Sequence, residues 1–306
     1  MKILLLGKNG QVGFELNRSL QSIGQLLALD RNTNADGYCG DVSNFNAISK
    51  VIDEFNPDVI INATAYTAVD KAESDKETAD LINHLAVKHL ADCAKKINAL
   101  LIHYSTDYVF NGDGDSAWQE NDITNPINYY GLSKQNGEIA LENSGCHFIN
   151  IRTSWVYGSY GNNFLKTMIK LGKERATLTI INDQIGSPTP AFLIADITAQ
   201  IIQIYQRSSS FEKDNLTGHY HLAPNGFCSW YDYANFIFKT ANELGIELKI
   251  NTVNPIPTSD YPTPAKRPFN SRLNCDTLKN TFGLNLPHWQ FGVEQTLKVL
   301  AQNQLI

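Results

Sequence analysis

Cysteine is scarce in this chain. Its 306 residues hold five, at Cys39, Cys93, Cys146, Cys228 and Cys275. They are odd in number, widely spaced and never in a C-x-x-C pair, which argues against a disulfide framework or a zinc site and for buried reduced thiols. Long apolar runs are also missing. No stretch approaches the ~20 residues that cross a bilayer. The opening Met1–Leu6 run is too short for a signal peptide and meets a Gly/Asn turn at once. Nor is there a surplus of positive charge: 25 basic against 31 acidic side chains give a formal charge of −6. A general binder of nucleic acid or of anionic membrane needs a cationic face, so neither partner is expected. The expectation is a soluble cytoplasmic protein. With 42% hydrophobic residues, disorder, collagen-like repeats and coiled coils are excluded, and the length is enough for about two domains.

The first half alternates short apolar runs with helical spacing. Candidate strands are Lys2–Leu6, Leu26–Leu29, Val59–Asn62, Leu100–Tyr104 and Phe148–Ile151. Such near-continuous apolar runs suit strands covered on both faces. Between them, Val12, Leu16 and Leu20 mark one helical face, and Val87, Leu90, Ala91 and Ala94 mark another. The alternation predicts an α/β fold with a Rossmann-type doubly wound parallel sheet and a smaller α/β substrate-binding domain. Residues 1–155, with 187–206 returning to them, form the expected first domain; 156–186 and 207–306 form the second. Helices are expected near Phe192–Gln206 and Tyr231–Leu244. Arg207–Gly218 reads as a surface connection, and the prolines from Pro255 to Pro268 as extended loop.

Directly after the first strand comes Gly7-Lys8-Asn9-Gly10-Gln11-Val12-Gly13. Glycines here let a phosphate approach main-chain N–H groups, and the following helix points its positive end at the same place. Alone the pattern is weak; between a first strand and a first helix it is a cofactor signature. Asp30 ends the second strand, where an acid bonds the adenosine ribose hydroxyls, while the adjacent Arg31 suits a ribose 2′-phosphate. If both engage, NADH and NADPH are accepted without much preference. Asp41-Val42 is a further candidate contact to adenine.

Tyr130-Gly131-Leu132-Ser133-Lys134 places a phenol and an ammonium one helical turn apart on one face. A free tyrosine titrates near ~10, and a neighbouring cation is expected to lower that value. Isolated Y-x-x-x-K pairs usually mark an exposed helix face. Here the glycine turn, Asp30 and Ser105-Thr106-Asp107 all lie at strand ends that share one crevice in an open α/β sheet. Thr106 is placed to bond the same substrate oxygen as Tyr130.

With these residues the chain resembles the extended short-chain dehydrogenase/reductases, and within them the dTDP-4-dehydrorhamnose reductase family. The matching stretches are Gly7–Gly13, Asn62–Ser74, His103–Phe110, Tyr130–Lys134, Arg152–Gly158, Gly161–Phe164, Asn182–Thr189 and Tyr261–Leu273. The strings Ser-Thr-Asp-Tyr-Val-Phe and Arg-Thr-Ser-Trp-Val-Tyr are far more specific than the glycines. The resemblance implies NADPH- or NADH-dependent reduction of the 4-keto group of dTDP-4-dehydro-β-L-rhamnose, supplying dTDP-L-rhamnose for bacterial surface polysaccharide. It places Gly10, Gln11, Val12, Asp30, Asp41, Val42, Ala65, Tyr66, Thr67 and Tyr104 along the cofactor, with Tyr130 and Lys134 as the dyad. Val69, Thr106, Asp107 and Trp155 would contact the sugar nucleotide, with Asn163 on the diphosphate and Lys266, Arg267 and Arg272 serving that anion too. A dTDP-sugar is thus the expected partner, with a homodimer possible.

Two departures narrow the reading. The related 4,6-dehydratases carry Asp-Glu after the active-site threonine, whereas here Asp107 is followed by Tyr108, which favours simple reduction over elimination. Some family members hold Mg²⁺ through glutamates. Glu15 matches one position, but Phe192 and Gln290 stand where two other acids are expected. Magnesium needs oxygen ligands, so Mg²⁺ is doubtful and no metal site is expected. The alternatives are another sugar-nucleotide-modifying member of the superfamily or a non-catalytic nucleotide-binding regulatory subunit. The complete dyad with Thr106 favours the enzyme.

Overall fold

The apolar runs become strands with no exposed face. In a computed structural model that describes residues 1–303, β1 is Lys2–Leu6, β2 Gln25–Leu29, β3 Val59–Asn62, β4 Leu100–Thr106 and β5 Phe148–Thr153. Every residue of β3 and β4 is buried, as strands of a parallel sheet covered on both sides must be. Side chains alternate between two cores, following the period of two along a strand. Ile3 and Leu5 pack under α1 (Gln11–Ser19) and the Ala191–Arg207 helix. Leu4 and Leu6 pack under α2 (Phe45–Phe55) and the Ala86–Ile97 helix. Asn44 starts α2 by accepting the Ala47 N–H at 3.1 Å, and Asn56 ends it in the left-handed region at φ 47°.

A sixth strand, Gly218–His221, pairs in parallel with β5, so the sheet order is Gly218–His221, β5, β4, β3, β1, β2. The chain runs from β1 out to β2, then returns to build the other side from β3. This reversal between β1 and β3 opens a crevice at the carboxyl ends of the strands, the usual ligand position in such sheets.

This sixth strand lies within 207–306, the expected second unit. Its four residues, Gly-His-Tyr-His, carry no apolar run that would betray a strand. Leu278, Phe282 and Leu286 also pack into the core beneath the sheet, so the boundary at 207 is not respected by the packing. The expected surface connection at 207–218 contains a short helix, Ser210–Asn215, started by a Ser209/Glu212 capping box. The proline stretch contains a strand, Thr252–Ile256, paired in parallel with Thr177–Ile181. Pro255 is tolerated because that strand is at an edge of its two-stranded sheet. A third apolar cluster gathers around Tyr233, Ile237, Trp289 and Val293 on the helices Phe164–Glu174, Trp230–Glu243 and Trp289–Gln302.

The Tyr129–Ser144 helix differs from the others. Asn128 caps it by accepting the Gly131 N–H at 2.8 Å, and Gly145 stops it at φ 68°. Its buried face is polar, with Ser133, Lys134 and Glu138 enclosed. The Cβ of any larger residue at 131 would lie 2.2 Å from the Tyr108 carbonyl oxygen, so glycine there lets the helix lie directly on the turn after β4. Glu138 and Arg152, 2% and 3% exposed, meet in a forked pair: Nη2 to Oε2 is 2.8 Å and Nε to Oε1 is 3.0 Å. Burial pushes the Glu138 carboxyl up, but the Arg152 charge and its hydrogen bonds outweigh that and hold it below the ordinary value.

Arg152→Met should therefore strand a buried carboxylate. A loss of about 3–5 kcal/mol is expected in urea unfolding. A loss below about 1 kcal/mol would mean that the pair is dispensable.

Candidate active site

The glycine turn is built as its spacing requires. Gly7 sits at φ +88° and donates its N–H to the Leu29 carbonyl at 3.0 Å, while Gly10 N–H bonds the Gly7 carbonyl at 3.0 Å. A Cβ on Gly13 would fall 2.0 Å from the Gly7 oxygen, so only glycine lets α1 start against the turn. Gly10, the N-cap of α1, provides no side-chain cap. The first-turn N–H groups are therefore left without a side-chain acceptor, and such a helix start accepts a phosphate. Beside it opens a cavity of about 380 Å³, whose walls include Gly7, Gly10, Asp30, Arg31 and Ala65.

Asp30 accepts from Asn32 N–H and Asn9 Nδ2, both at 2.7 Å, with Lys8 Nζ at 3.6 Å. Those bonds, led by the Asn32 amide, keep its carboxyl below the ordinary value and ionised. Arg31 is exposed on the same rim. Asp41 is turned to its own backbone, accepting Ser43 N–H at 3.0 Å and Oγ at 2.7 Å, and Val42 is buried in the core. Tyr66 is clamped through its backbone by Asn83, which accepts its N–H at 2.9 Å and donates to its carbonyl at 3.1 Å. Its hydroxyl donates to Asp75 at 3.0 Å, and Thr67 next to it is exposed.

The dyad helix brings Tyr130 beside Thr106. Burial raises the Tyr130 phenol to about 12; the Thr106 hydroxyl offsets part of this and the Asp107 charge adds to it. The expected lowering by Lys134 is thus corrected. Lys134, 1% exposed, points its Nζ at β4 instead, donating to the Tyr104 carbonyl at 2.6 Å and lying 3.0 Å from His103 Nε2. Burial brings the lysine down to about 8, with Glu138 pulling the other way. Desolvation disfavours the charged form of each partner, so the pair holds a protonated phenol, which is what a proton donor needs. Tyr104 contributes only its carbonyl here. Its ring lies on the opposite face, where its hydroxyl bonds Thr198 at 2.8 Å.

Thr106 donates to Asp107 Oδ1 at 3.1 Å and accepts the Tyr108 N–H at 3.2 Å. Asp107 is 2% exposed, and its Oδ2 has no partner. Burial pushes its carboxyl up to about 6, with the nearby Ser271 and the Thr106 hydroxyl acting against it.

A second cavity, about 660 Å³, lies next to the dyad and is lined in part by Asp70, Tyr108, Phe164, Trp230 and Arg267. Arg267 Nη2 bonds Asp70 Oδ2 at 2.7 Å, while its buried Nη1 has no partner. Val69 opens the short helix that carries Asp70. Trp155 stacks on Trp230 at 3.7 Å between ring centres, and its backbone is held at φ 49°, a strained position for a bulky residue that tends to mark functional sites.

The remaining anion candidates are placed elsewhere. Asn163 caps the Phe164–Glu174 helix through Oδ1, and its Nδ2 donates to Gly158 and to Gln11, so both amide hydrogens are already used. Lys266 is exposed, with only its carbonyl held, by Asn128 at 2.8 Å. Arg272 bonds Asn270 at 3.0 Å. Glu15 pairs with Arg18 at 3.0 Å, and no group of three His, Cys, Asp or Glu side chains that could hold a metal occurs among the described residues.

Sequence reasoning missed Lys8, Asn62, Asp70, Asn83, His103, Phe164 and Trp230. His103 and Asn62 are polar residues inside otherwise apolar strands, and that was the available signal. Trp230 and Phe164 lie in helices whose aromatic residues read equally well as core.

Asp107 also makes a pH-dependent prediction. Its folded pKa, about 6, exceeds the ordinary 3.8, so the stability it retains at low pH is lost as pH rises from about 4 through 6. Asp107→Asn should leave Tm near wild type at pH 4 and raise stability at pH 7.5 by up to about 3 kcal/mol. An equal effect at both pH values in calorimetry would refute the buried ionisation.

Comparison with known proteins places this geometry. Residues 1–302 match the family model described as RmlD substrate binding domain. The chain is 49% identical over 300 residues to the dTDP-4-dehydrorhamnose reductase of Escherichia coli K12, with 98% of each covered. Among solved structures it is similar to a dTDP-4-dehydrorhamnose reductase from Clostridium acetobutylicum, at TM-score 0.87 and 35% identity, covering 98% of this chain and 99% of that one. It is equally similar to the Bacillus anthracis dTDP-4-dehydrorhamnose reductase in complex with NADP, at TM-score 0.87 and 34% identity, covering 97% and 99%.

Proposed function

The chain belongs to the RmlD substrate-binding-domain family of dTDP-4-dehydrorhamnose reductases, and from that premise we infer how its residues divide the work. It catalyses the NAD(P)H-dependent reduction of the C4 keto group of dTDP-4-dehydro-β-L-rhamnose to dTDP-L-rhamnose. One observation carries the reading: a partly buried phenol, raised to about 12 by desolvation, stands beside Thr106, and its ring meets that of Tyr108, which lines the aromatic-walled cavity, at 5.6 Å. The turn fits a dinucleotide, because glycine at 13 lets α1 start directly against it and α1 lacks a side-chain cap of its own. When bound, the reduced nicotinamide supplies the hydride.

Tyr130 donates its proton to the sugar oxygen as negative charge gathers there, and takes a new one from solvent after turnover. Thr106 hydrogen-bonds the same oxygen. Lys134, held at the Tyr104 carbonyl one turn along the helix, would bond the ribose next to the nicotinamide. Asp30 would receive ribose hydroxyls on the adenosine side, and Arg31, with Lys8 beside Asp30, would meet a 2′-phosphate, which supports use of either cofactor. Trp155, Asp107 and Val69 bound the sugar. Arg267, with a buried unpaired Nη1, faces the diphosphate, a better-placed cation than Lys266 or Arg272. The glycine-turn cavity supports a cofactor part within 1–155, and the aromatic cavity a sugar-nucleotide part to which Asp70 and Tyr108 of that first part also contribute. Among the described residues no helix is long and apolar enough to cross a membrane, which supports a cytoplasmic enzyme. A second copy of the chain is its candidate partner.

The direct test is an assay with dTDP-4-dehydrorhamnose, comparing NADH and NADPH and identifying the product sugar; cofactor binding without ketone-dependent oxidation would favour a regulatory subunit. Tyr130→Phe should lower kcat about 10²–10⁴-fold, as loss of a positioned acid does, while changing the NADPH Kd less than about threefold. Near-normal turnover in that variant would remove Tyr130 from the mechanism.

A further inference from the structure

His103 lies behind Lys134, 1% exposed, and the hydrogen bonds around it fix where its proton is. Asn62 Oδ1 accepts both the Thr64 N–H at 3.1 Å and the Thr64 hydroxyl at 2.6 Å. A backbone N–H can only donate, so the amide orientation is set, and Asn62 Nδ2 is the atom that faces His103 Nδ1 at 3.1 Å. An amide nitrogen also only donates. Nδ1 is therefore a lone pair, and a neutral imidazole carries its hydrogen on Nε2. That hydrogen faces Lys134 Nζ at 3.0 Å. An ammonium has no lone pair to receive it; a neutral amine does, and still donates to the Tyr104 carbonyl at 2.6 Å.

We propose that His103 is a positioning residue that lowers the proton affinity of Lys134: locked by Asn62 with its proton on Nε2, it disfavours the ammonium and favours the neutral amine in the free enzyme. Charging Lys134 requires the Asn62–His103 bond to break or the imidazole to exchange its proton between nitrogens. The proposal rests on the reductase reading for its effect on turnover, though the tautomer itself does not. The other charged and titratable groups facing this pair are Glu138 on the same helix, with Arg152 behind it, and His219, which acts on His103 across the sheet. Asn62, His103, Asn150 and His219 occupy registered positions on four neighbouring strands, so they form one polar row beneath the helix. Burial moves both groups toward their neutral forms, the lysine to about 8 and the imidazole well below its ordinary value.

Asn62→Asp tests it. An aspartate keeps an oxygen for Thr64 and offers a second to His103, so the imidazole should move its proton to Nδ1. Nε2 then becomes an acceptor for the lysine ammonium. In ¹⁵N-histidine-labelled protein, with His103→Gln to assign the signal, wild type should show the Nε2–H tautomer and Asn62→Asp the Nδ1–H tautomer or the imidazolium. The alkaline limb of kcat/KM should move up by about one pH unit in Asn62→Asp, a tenfold change in proton concentration, with less change in KM for cofactor. An Nδ1–H tautomer in wild type overturns the proposal, and so does an unmoved limb once the tautomer has flipped. The tautomer is read without turnover, so a chain that fails to reduce the sugar nucleotide would sink the functional reading alone.

Discussion

One buried polar contact organises this molecule: the Tyr129–Ser144 helix laid on the sheet through Lys134 and Glu138. Both groups would be costly to enclose alone. Lys134 is satisfied by a strand carbonyl and an imidazole, and Glu138 by the fork of Arg152. Helix position, dyad geometry and the pKa values of the dyad all follow from these pairings. An apolar interface would hold the helix as firmly, but it would tolerate sliding. Matched charges and hydrogen bonds fix its register on the sheet, and so fix Tyr130 beside Thr106.

The same contact explains why the dyad does not behave as an isolated phenol and ammonium would. In water a lysine nearby lowers a tyrosine. Here desolvation acts on both, and the lysine spends its donors on β4 rather than on the phenol. The consequence suits reduction, which requires a proton on the tyrosine when the carbonyl oxygen becomes basic. Burial and Glu138 thus tune the protonation of the lysine before any ligand arrives, the kind of preorganisation on which electrostatic catalysis rests.

The aromatic cavity follows a second constraint. Trp155 adopts a left-handed backbone to stack on Trp230, and Gly186 makes room for its ring, since a Cβ there would lie 2.8 Å from it. This local strain is sustained by packing from both sides. It joins the end of β5 to the cluster around Tyr233, so the wall of the aromatic cavity, through Trp230, is continuous with a hydrophobic core rather than a free loop.

The sequence by itself determined five of the six strands, the glycine turn, the Tyr130–Lys134 spacing and the family. Each is a local pattern of period, turn residue or motif, and local patterns survive without coordinates. It did not reveal the Gly218–His221 strand, whose residues are polar, or that Asn163 serves as a cap while Arg267 faces the cavity. Nor could it show that Asn62 and His103 face each other, because register between strands 41 residues apart is a property of the folded sheet. Only the tertiary structure decided the direction of the dyad's pKa values. Burial and hydrogen-bond partners set those energies, and both are created by packing that no single stretch of sequence contains.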